Sequence, residues 1–462
     1  MTDQQRWDAL GAASEWASTP HLDRVAAAGV RFRYAVTNSP VCVPARASLA
    51  TGRYPHQHGV QANRPWTLPD RPTWMRAVKD AGYATSVFGK THLHPHRGDL
   101  RDRADVLHRQ GFDHVDEIAG PRASTRCRSG LTDLWEQAGV REAYDADLLD
   151  RLGTTPWTVR PSPLPLDLYP DVYVGRQAAT HLRGLPPAAP WFCWVSFSGP
   201  HEPYDTPAPW AGRFDPAAMP PPLPAPPATS GRRPRGLLDR RLARRTVDFA
   251  PGEVARLRAD YAAKVALIDD QVGGLLDAVA GRGELDRTAV VVVSDHGEMN
   301  GDFGLLYKET FLDPAVRVPF LVAPRVGPAP AAGAAGSHGD RLGPGRVSSA
   351  VVELMDAGAT VAELTGADLP ERSRARSVLP VVRGDSAEHR EAVVSEYRGE
   401  VMAATSRHKV MLDESGRTYR FYDLVEDPHE QHDLVGRRLG RGARRAEKSL
   451  RAFALRETGR AG

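Results

Sequence analysis

The stretch Ala-Val-Val-Val-Val-Ser-Asp-His-Gly occupies residues 289–297 and joins an unbroken apolar run to a carboxylate and an imidazole. Five apolar residues without alternation predict a short strand that is covered on both faces, as in a parallel sheet. An isolated aspartate after such a strand most often caps the next turn. Here the adjacent His296 and a further aspartate, Asp3, favour a metal site around Asp295.

Two other apolar runs also end in polar turns. Residues 83–88 lead into Gly-Lys-Thr-His-Leu at 89–93, and residues 191–197 lead into Ser-Gly-Pro-His at 198–201. In open α/β sheets, ligands collect beyond the carboxyl ends of the strands. We therefore expect one site built from the side chains that these turns carry: Lys90, His92, His201, Asp295 and His296.

Helical patterns alternate with these strands, the longest running from about residue 251 to residue 280. This alternation predicts an α/β fold, with a large mixed, mostly parallel sheet flanked by helices. Beyond about residue 387, strand-sized segments at hairpin spacing predict a small antiparallel sheet. We therefore divide the chain into a large α/β domain, residues 1–386, and a small C-terminal subdomain with a basic tail, residues 387–462.

Composition excludes several classes of protein. The 462 residues carry a net charge of +3, which gives no global field for nucleic acid. There is no apolar run of the roughly 18 residues that a membrane helix needs. Three widely spaced cysteines, Cys42, Cys127 and Cys193, exclude a disulfide framework. No signal peptide is visible, which favours a cytoplasmic location if the chain is complete at its start.

A second informative stretch, Cys-Val-Pro-Ala-Arg, occupies residues 42–46 and continues as Ala-Ser-Leu-Ala-Thr-Gly-Arg. Pro44 in the first turn and Gly52 at the end predict a short helix. A helix N-terminus attracts anions and favours a thiolate, and Arg46 adds a fixed positive charge. A free cysteine is more often a small buried hydrophobe, so these residues alone leave both roles open for Cys42.

The Cys-x-Pro-x-Arg stretch and its continuation resemble the signature of the type I sulfatases, the formylglycine-dependent branch of the alkaline-phosphatase-like superfamily. Further segments resemble landmarks of that family in the same order: residues 2–6, 19–23, 89–93, 199–201, 294–298 and 422–424. The resemblance covers nearly the whole chain and implies a hydrolase whose substrate is a small-molecule sulfate monoester.

The resemblance also implies a mechanism. Cys42 would be oxidised to formylglycine by a formylglycine-generating enzyme, and one hydroxyl of the hydrated aldehyde would attack sulfur. Five further side chains match family positions that act on the substrate: Arg46, Lys90, His92, His201 and Lys308. Arg46 and the two lysines would bind sulfate and tune the hydrate. His201 would protonate the leaving alcohol, and His92 would help to eject sulfate.

The family binds a divalent metal, and the resemblance assigns it to Asp3, Asp295, His296 and the hydrated formylglycine at position 42. Gln4 stands where many sulfatases have a second aspartate, so its amide oxygen is a further candidate ligand. His296 stands where many have asparagine, and imidazole suits Mn²⁺ better than Ca²⁺. Ca²⁺ is the metal that the resemblance implies, with Mn²⁺ as the alternative.

The family has an apolar strand directly before the aspartate that matches Asp3, whereas only two residues precede Asp3 here. Either the start lies inside the gene or the strand has been lost, and we expect so short an end to fray. An extension upstream should then stabilise the protein and strengthen metal binding.

Two other functions stay open. One is a phosphonate monoester or phosphodiester hydrolase of the same superfamily, and the other is an N-terminally truncated, inactive relative that only binds anions. The loops at 94–170 and 202–250 carry no motif that identifies the organic part of a substrate, so carbohydrate, aryl and choline-like sulfates are equally compatible.

Overall fold

The computed structural model describes residues 1–187, 189–225, 236–326 and 345–460, so residues 226–235 of the loop at 202–250 lie outside it. The strands are β1 (Val30–Val36), β2 (Ala84–Gly89), β3 (Gly98–Asp99), β4 (His114–Glu117), β5 (Cys127–Arg128), β6 (Trp191–Ser196), β7 (Val290–Val293), β8 (Phe320–Ala323), β9 (Arg346–Glu353), β10 (Val393–Tyr397), β11 (Glu400–Ala404), β12 (His408–Leu412) and β13 (Thr418–Asp423). The helices are α1 (Pro20–Ala27), α2 (Cys42–Thr51), α3 (Pro55–His58), α4 (Trp74–Asp80), α5 (Ala104–Arg109), α6 (Pro121–Ser124), α7 (Gly130–Gln137), α8 (Arg141–Gly153), α9 (Pro170–Gly184), α10 (Leu237–Arg245), α11 (Glu253–Gly281), α12 (Asp313–Val316), α13 (Asp356–Thr365), α14 (Leu379–Arg383) and α15 (Arg441–Glu457).

The main sheet is mixed, as predicted, and has two halves, with strand orders β7-β8-β1-β9 and β4-β2-β6. β2 pairs in parallel with β4 and β6, and β1 pairs in parallel with β9. β8 runs antiparallel to its neighbours β1 and β7. Helix α11 packs on α1 and α9, which in turn contact the sheet, while α4 and α13 contact each other and the sheet as a second group. The predicted α/β fold with flanking helices is therefore confirmed.

Residues 1–3 join the two halves of the main sheet. The N–H of Thr2 donates to the carbonyl of Val293 in β7 at 3.0 Å, and the N–H of Asp3 donates to the carbonyl of Gly199, just after β6, at 2.9 Å. Both bridges are parallel to their neighbours. Contrary to the expected fraying, the backbone before Asp3 is thus held on both sides.

A cavity of about 510 Å³ lies between β6 and β7, in the part of the gap between these strands that residues 1–3 do not fill. Among the strands that the structure describes, β6 pairs with β2 alone and β7 with β8 alone, and Met1 lines the cavity. The lining is mostly apolar and includes Trp194 and Val291. The expected gain in stability from an upstream extension stays a prediction.

The predicted small antiparallel sheet is also confirmed. β10, β11, β12 and β13 pair in sequence order, each antiparallel to the next. Leu450 and Ala454 of α15 are buried in the apolar cluster under this sheet. Met402 shares a second cluster with Phe311 of the main domain, so the two parts have a common core. The division at residue 386 stays a prediction.

One buried ion network ties β12 to the main domain. Lys409 Nζ lies 2.7 Å from Glu430 Oε1 and also contacts the carboxylate of Asp313 in α12. The N–H of Asp313 donates to Glu430 Oε2 at 2.6 Å. All three side chains are buried. Removing the ammonium group would leave the buried Glu430 carboxylate without a counter-ion, whereas Asp313 would keep its pair with Arg317 at 2.9 Å.

The variant Lys409→Met should therefore be less stable by about 3–5 kcal/mol, because breaking a buried network leaves uncompensated charge. Lys79→Met is the matched control, since Lys79 pairs with Asp113 at 2.6 Å on the surface. The control should lose less than about 1 kcal/mol. Urea unfolding of both variants measures the difference. Equal losses would contradict a stabilising role for the buried network.

Among the described residues, no helix combines the length and the apolar character that crossing a membrane requires.

Candidate active site

Helix α2 begins at Cys42, and Pro44 lies in its first turn as the sequence predicts. Gly52 ends the helix in the left-handed region, with φ of 63°, and its N–H donates to the Ser48 carbonyl at 2.8 Å. Glycine is suited to this cap because it has no Cβ to strain the backbone. The Cys42 side chain is only 2 % exposed, so it lies in the core at the helix N-terminus.

The polar turns that follow the strands meet at this point. Lys90 follows β2, His201 follows β6 and Asp295 follows β7. Asp3 lies between β6 and β7 and is fully buried. Lys90 Nζ lies 2.6 Å from Asp3 Oδ2, which joins the turn after β2 to the chain start.

Arg46 holds the two aspartates together. Its Nη2 donates to Asp3 Oδ2 at 2.9 Å, and its Nε donates to Asp295 Oδ2 at 2.8 Å. Its Nη1 donates to the carbonyl of Lys90 and to Ser196 Oγ, the latter at 3.0 Å. The guanidinium is fully buried, so it both fixes and neutralises these carboxylates.

Four buried side chains have potential ligand atoms that all lie within 4.8 Å of one another: Asp3, Cys42, Asp295 and His296. His296 Nδ1 lies 2.9 Å from the carbonyl of Gly297, which fixes the proton on that nitrogen. The other ring nitrogen, Nε2, lies 3.1 Å from Cys42 Sγ and could give its lone pair to a cation that displaces its proton. Two carboxylates and an imidazole in this tautomer fit a divalent cation.

Gln4 has hydrogen-bond partners outside this group of four. Its Oε1 accepts from Lys308 Nζ, and its Nε2 donates to Glu202 Oε2 at 2.9 Å and to Glu298. Because the amide oxygen is paired with an ammonium group, Gln4 positions Lys308 in this arrangement. Its role as a metal ligand stays a prediction.

The surroundings of Cys42 are strongly positive. Burial alone would raise the pKa of the thiol, but Lys308, His296 and Lys90 outweigh burial and hold the pKa well below its usual range. Burial lowers the pKa of Lys308, but Cys42 and Glu202 outweigh that effect and raise it. The site is therefore built to hold negative charge beside residue 42.

Two histidines reach Cys42 from different turns. The side chains of His92 and His201 both lie close enough to Cys42 for electrostatic coupling: His201 helps to lower the pKa of Cys42, and Cys42 opposes the lowering of the pKa of His92. Burial and the neighbouring Lys90 lower the pKa of His92 to about 3, so its ring is neutral at pH 7. His201 Nδ1 lies 2.8 Å from the carbonyl of Glu202, which leaves Nε2 as the nitrogen available to a substrate.

His94 and His96 belong to the protein interior. His94 Nε2 lies 2.6 Å from Glu117 Oε2, and His96 Nε2 lies 3.1 Å from Glu117 Oε1. The rings of His92 and His96 are 4.6 Å apart. Burial raises the pKa of Glu117, but His96 and His94 outweigh burial and hold it well below its usual range. This carboxylate anchors the turn that carries His92.

Sequence reasoning missed three buried acids next to the site. Glu202 directly follows His201, and Glu298 is the last residue of the segment at 294–298. Their positions beside motif residues could have indicated that they lie at the site. Glu117 lies at the end of β4, and no sequence pattern links it to the turn after β2.

The chain is similar to known proteins both in sequence and in fold. The chain is 27 % identical over 451 residues to an arylsulfatase of Clostridium perfringens, covering 94 % of this chain and 89 % of that protein. It is 26 % identical to the multifunctional alkaline phosphatase superfamily protein PehA of Trinickia caryophylli, covering 90 % and 85 %. Its fold is similar to that of a phosphonate monoester hydrolase of Agrobacterium radiobacter, with a TM-score of 0.74, 22 % identity, and 98 % and 94 % of the two chains covered.

The family model described as Sulfatase matches residues 1–367, which include the Cys42 helix and all the polar turns described above. The chain therefore belongs to the sulfatase family of sulfuric ester hydrolases.

Proposed function

We propose that this protein hydrolyses a sulfate monoester through a formylglycine derived from Cys42, with the help of a divalent metal. The observation that carries the proposal is the position of Cys42. It lies buried at a helix N-terminus, beside Asp3, Asp295 and His296, and under the positive charges of Lys90 and Lys308.

The cations explain why a sulfate ester suits the site. A sulfate ester has a tetrahedral head with delocalised negative charge, and its cleavage builds charge on the leaving oxygen. Lys90 and Lys308 can contact this head as point charges, because each lies close enough to Cys42 to lower its pKa. Arg46 is fully engaged with the aspartates, so we assign to it the positioning of the site.

The two histidines suit the two halves of the reaction. In the first half, one hydroxyl of the hydrated aldehyde loses its proton to solvent and attacks sulfur as an alkoxide, the ester S–O bond breaks, and His201 gives a proton to the leaving alcohol. In the second half, neutral His92 takes a proton from the remaining hydroxyl, the C–O bond to sulfate breaks, and the aldehyde forms again.

The buried group of four fits a divalent cation, which when bound would orient the nucleophile and neutralise sulfate charge. Asp3 and Asp295 would supply carboxylate oxygens, and His296 would supply Nε2. Ca²⁺ is favoured by the family resemblance. Mn²⁺ is the alternative, because an imidazole and only two carboxylates suit it better. Elemental analysis of the purified protein distinguishes the two metals.

A phosphonate monoester hydrolase is the second candidate. It is supported by a sequence relative named as a multifunctional member of the superfamily, and the Asp295–His296 pair resembles the Asp-His pair of phosphonate hydrolases in that superfamily. Phosphonate monoesters also present a tetrahedral anionic head, so the same lysines could bind them.

The deciding experiment uses protein co-expressed with a formylglycine-generating enzyme. Mass spectrometry should find the peptide that contains residue 42 in a lighter, aldehyde form. We expect kcat/KM for 4-nitrophenyl sulfate to exceed that for a 4-nitrophenyl phosphonate monoester by at least about tenfold. The opposite ratio would favour the phosphonate hydrolase, and inactivity on both esters despite full conversion would favour an inactive anion-binding relative.

A further inference from the structure

Arg122 is a half-exposed cation beside the proposed active site. It is the second residue of α6, and its side chain is 45 % exposed. Arg46, Lys90 and Lys308 are only 0 %, 2 % and 7 % exposed. Lys90 and Lys308 are thus placed to meet the sulfate head, whereas Arg122, half-exposed beside them, is placed to meet a part of the substrate nearer the solvent.

The turn that carries Arg122 packs directly against active-site residues. Any residue with a Cβ in place of Gly120, two residues earlier, would bring that atom to 3.0 Å from Lys90 Nζ. The backbone of the turn is therefore packed tightly against this lysine. Arg122 Cζ lies 5.8 Å from the centroid of the Tyr307 ring, next to Lys308. Arg122 therefore borders the site on the sides of both lysines.

A hydrogen bond to Glu202 orients the guanidinium of Arg122. Arg122 Nη2 donates to Glu202 Oε1 at 3.1 Å. Among the described residues, the Arg122 side chain makes no other hydrogen bond. Glu202 also accepts from Gln4 and lies 3.1 Å from His201 Nδ1. A guanidinium has five N–H donors in a planar fork, so most of them remain available for a second anion.

We propose that Arg122 binds a second anionic group on the organic part of the substrate. The preferred substrates are then sulfate monoesters that also carry a carboxylate or another sulfate. A charged acceptor is favoured over a hydroxyl because charge-assisted bonds to a guanidinium are stronger and can be bidentate. This inference rests on the proposed sulfatase function and names the substrate class of the same site.

Two esters test the inference: 4-nitrophenyl sulfate and 3-carboxy-4-nitrophenyl sulfate, which differ by one carboxylate. Formylglycine-bearing wild-type protein should show a kcat/KM about tenfold higher for the carboxylated ester, mainly through a lower KM. In Arg122→Gln this preference should fall close to unity. Arg122→Lys should keep part of it, because lysine retains the charge without the fork. Melting curves check that each variant is folded.

Arg126→Gln is the matched control, since Arg126 is exposed on the same segment and has no ion pair among the described residues. It should keep the wild-type preference. Equal kcat/KM of the wild-type protein for the two esters would overturn the inference, as would equal losses on both esters in Arg122→Gln.

Calorimetry on protein that retains an unoxidised Cys42 separates this inference from the proposed function. Such protein should bind the carboxylated ester about tenfold more tightly, and Arg122→Gln should lose that difference. Selective binding without turnover of either ester by the converted protein would contradict the sulfatase proposal and support the role of Arg122. Turnover without selective binding would overturn the role of Arg122 alone.

Discussion

Replacing Cys42 by alanine should reduce turnover of a sulfate ester by at least about 10⁴-fold, because removing a covalent nucleophile leaves only binding and electrostatic effects. The fold should survive, since a smaller side chain replaces a thiol that no disulfide uses. Steady-state assays and a melting curve of the same preparation measure both effects. Residual activity within about tenfold of wild type would contradict the mechanism.

The other cysteines provide the control. Burial raises the pKa of Cys127 to about 11, and burial likewise raises the pKa of Cys193 to about 11. Both thiols are therefore poor nucleophiles at neutral pH. Cys127→Ala should keep wild-type turnover, which separates the chemistry of residue 42 from a general effect of losing a buried thiol.

Cys42→Ser adds a mechanistic readout. A serine hydroxyl can attack sulfur but has no second hydroxyl to expel sulfate, so the reaction should stop after one event. Mass spectrometry should find serine-42 sulfate after incubation with substrate. Repeated turnover by this variant would mean that water, and not a second hydroxyl, releases sulfate.

The sequence predicts most of the fold because its strands and turns are local signals. The valine run of β7 and the glycine that ends the Cys42 helix each follow from a few adjacent residues. The convergence of Lys90 and His201 also follows, because the carboxyl ends of the parallel strands β2 and β6 meet at one edge, and residues 1–3 bring Asp295 after β7 to the same edge.

Side-chain partners across the fold could not be predicted in this way. Pairing of Glu117 with His94 requires the register of β4 on β2, which no local pattern encodes. The contact of Gln4 with Lys308 joins residues 304 positions apart. The N-terminal segment is the instructive case, since the chain end before Asp3 is short by itself and is held only by strands distant in sequence.

Asp295→Asn should remove bound metal and lower turnover by about 10³-fold, because the cation would hold the nucleophile and offset sulfate charge. Asp295 Oδ2 accepts from Arg46, while Oδ1 accepts from the N–H groups of Gln4 and His296. An asparagine must turn its NH₂ group toward one of these sets of donors. The variant thus loses a negative ligand and disturbs the clamp of Arg46.

Asp269→Asn is the matched control for a buried carboxylate that accepts two backbone N–H groups. Asp269 accepts from His21 and Leu22 at 3.1 and 2.7 Å and is not among the four residues of the metal group. Elemental analysis should find wild-type metal content in Asp269→Asn and little in Asp295→Asn. Added Ca²⁺ or Mn²⁺ should raise the melting temperature of the control but not of Asp295→Asn, because a ligand stabilises only the state that binds it. Equal metal content in the two variants would mean that Asp295 is not a metal ligand and that its contact with Arg46 is only structural.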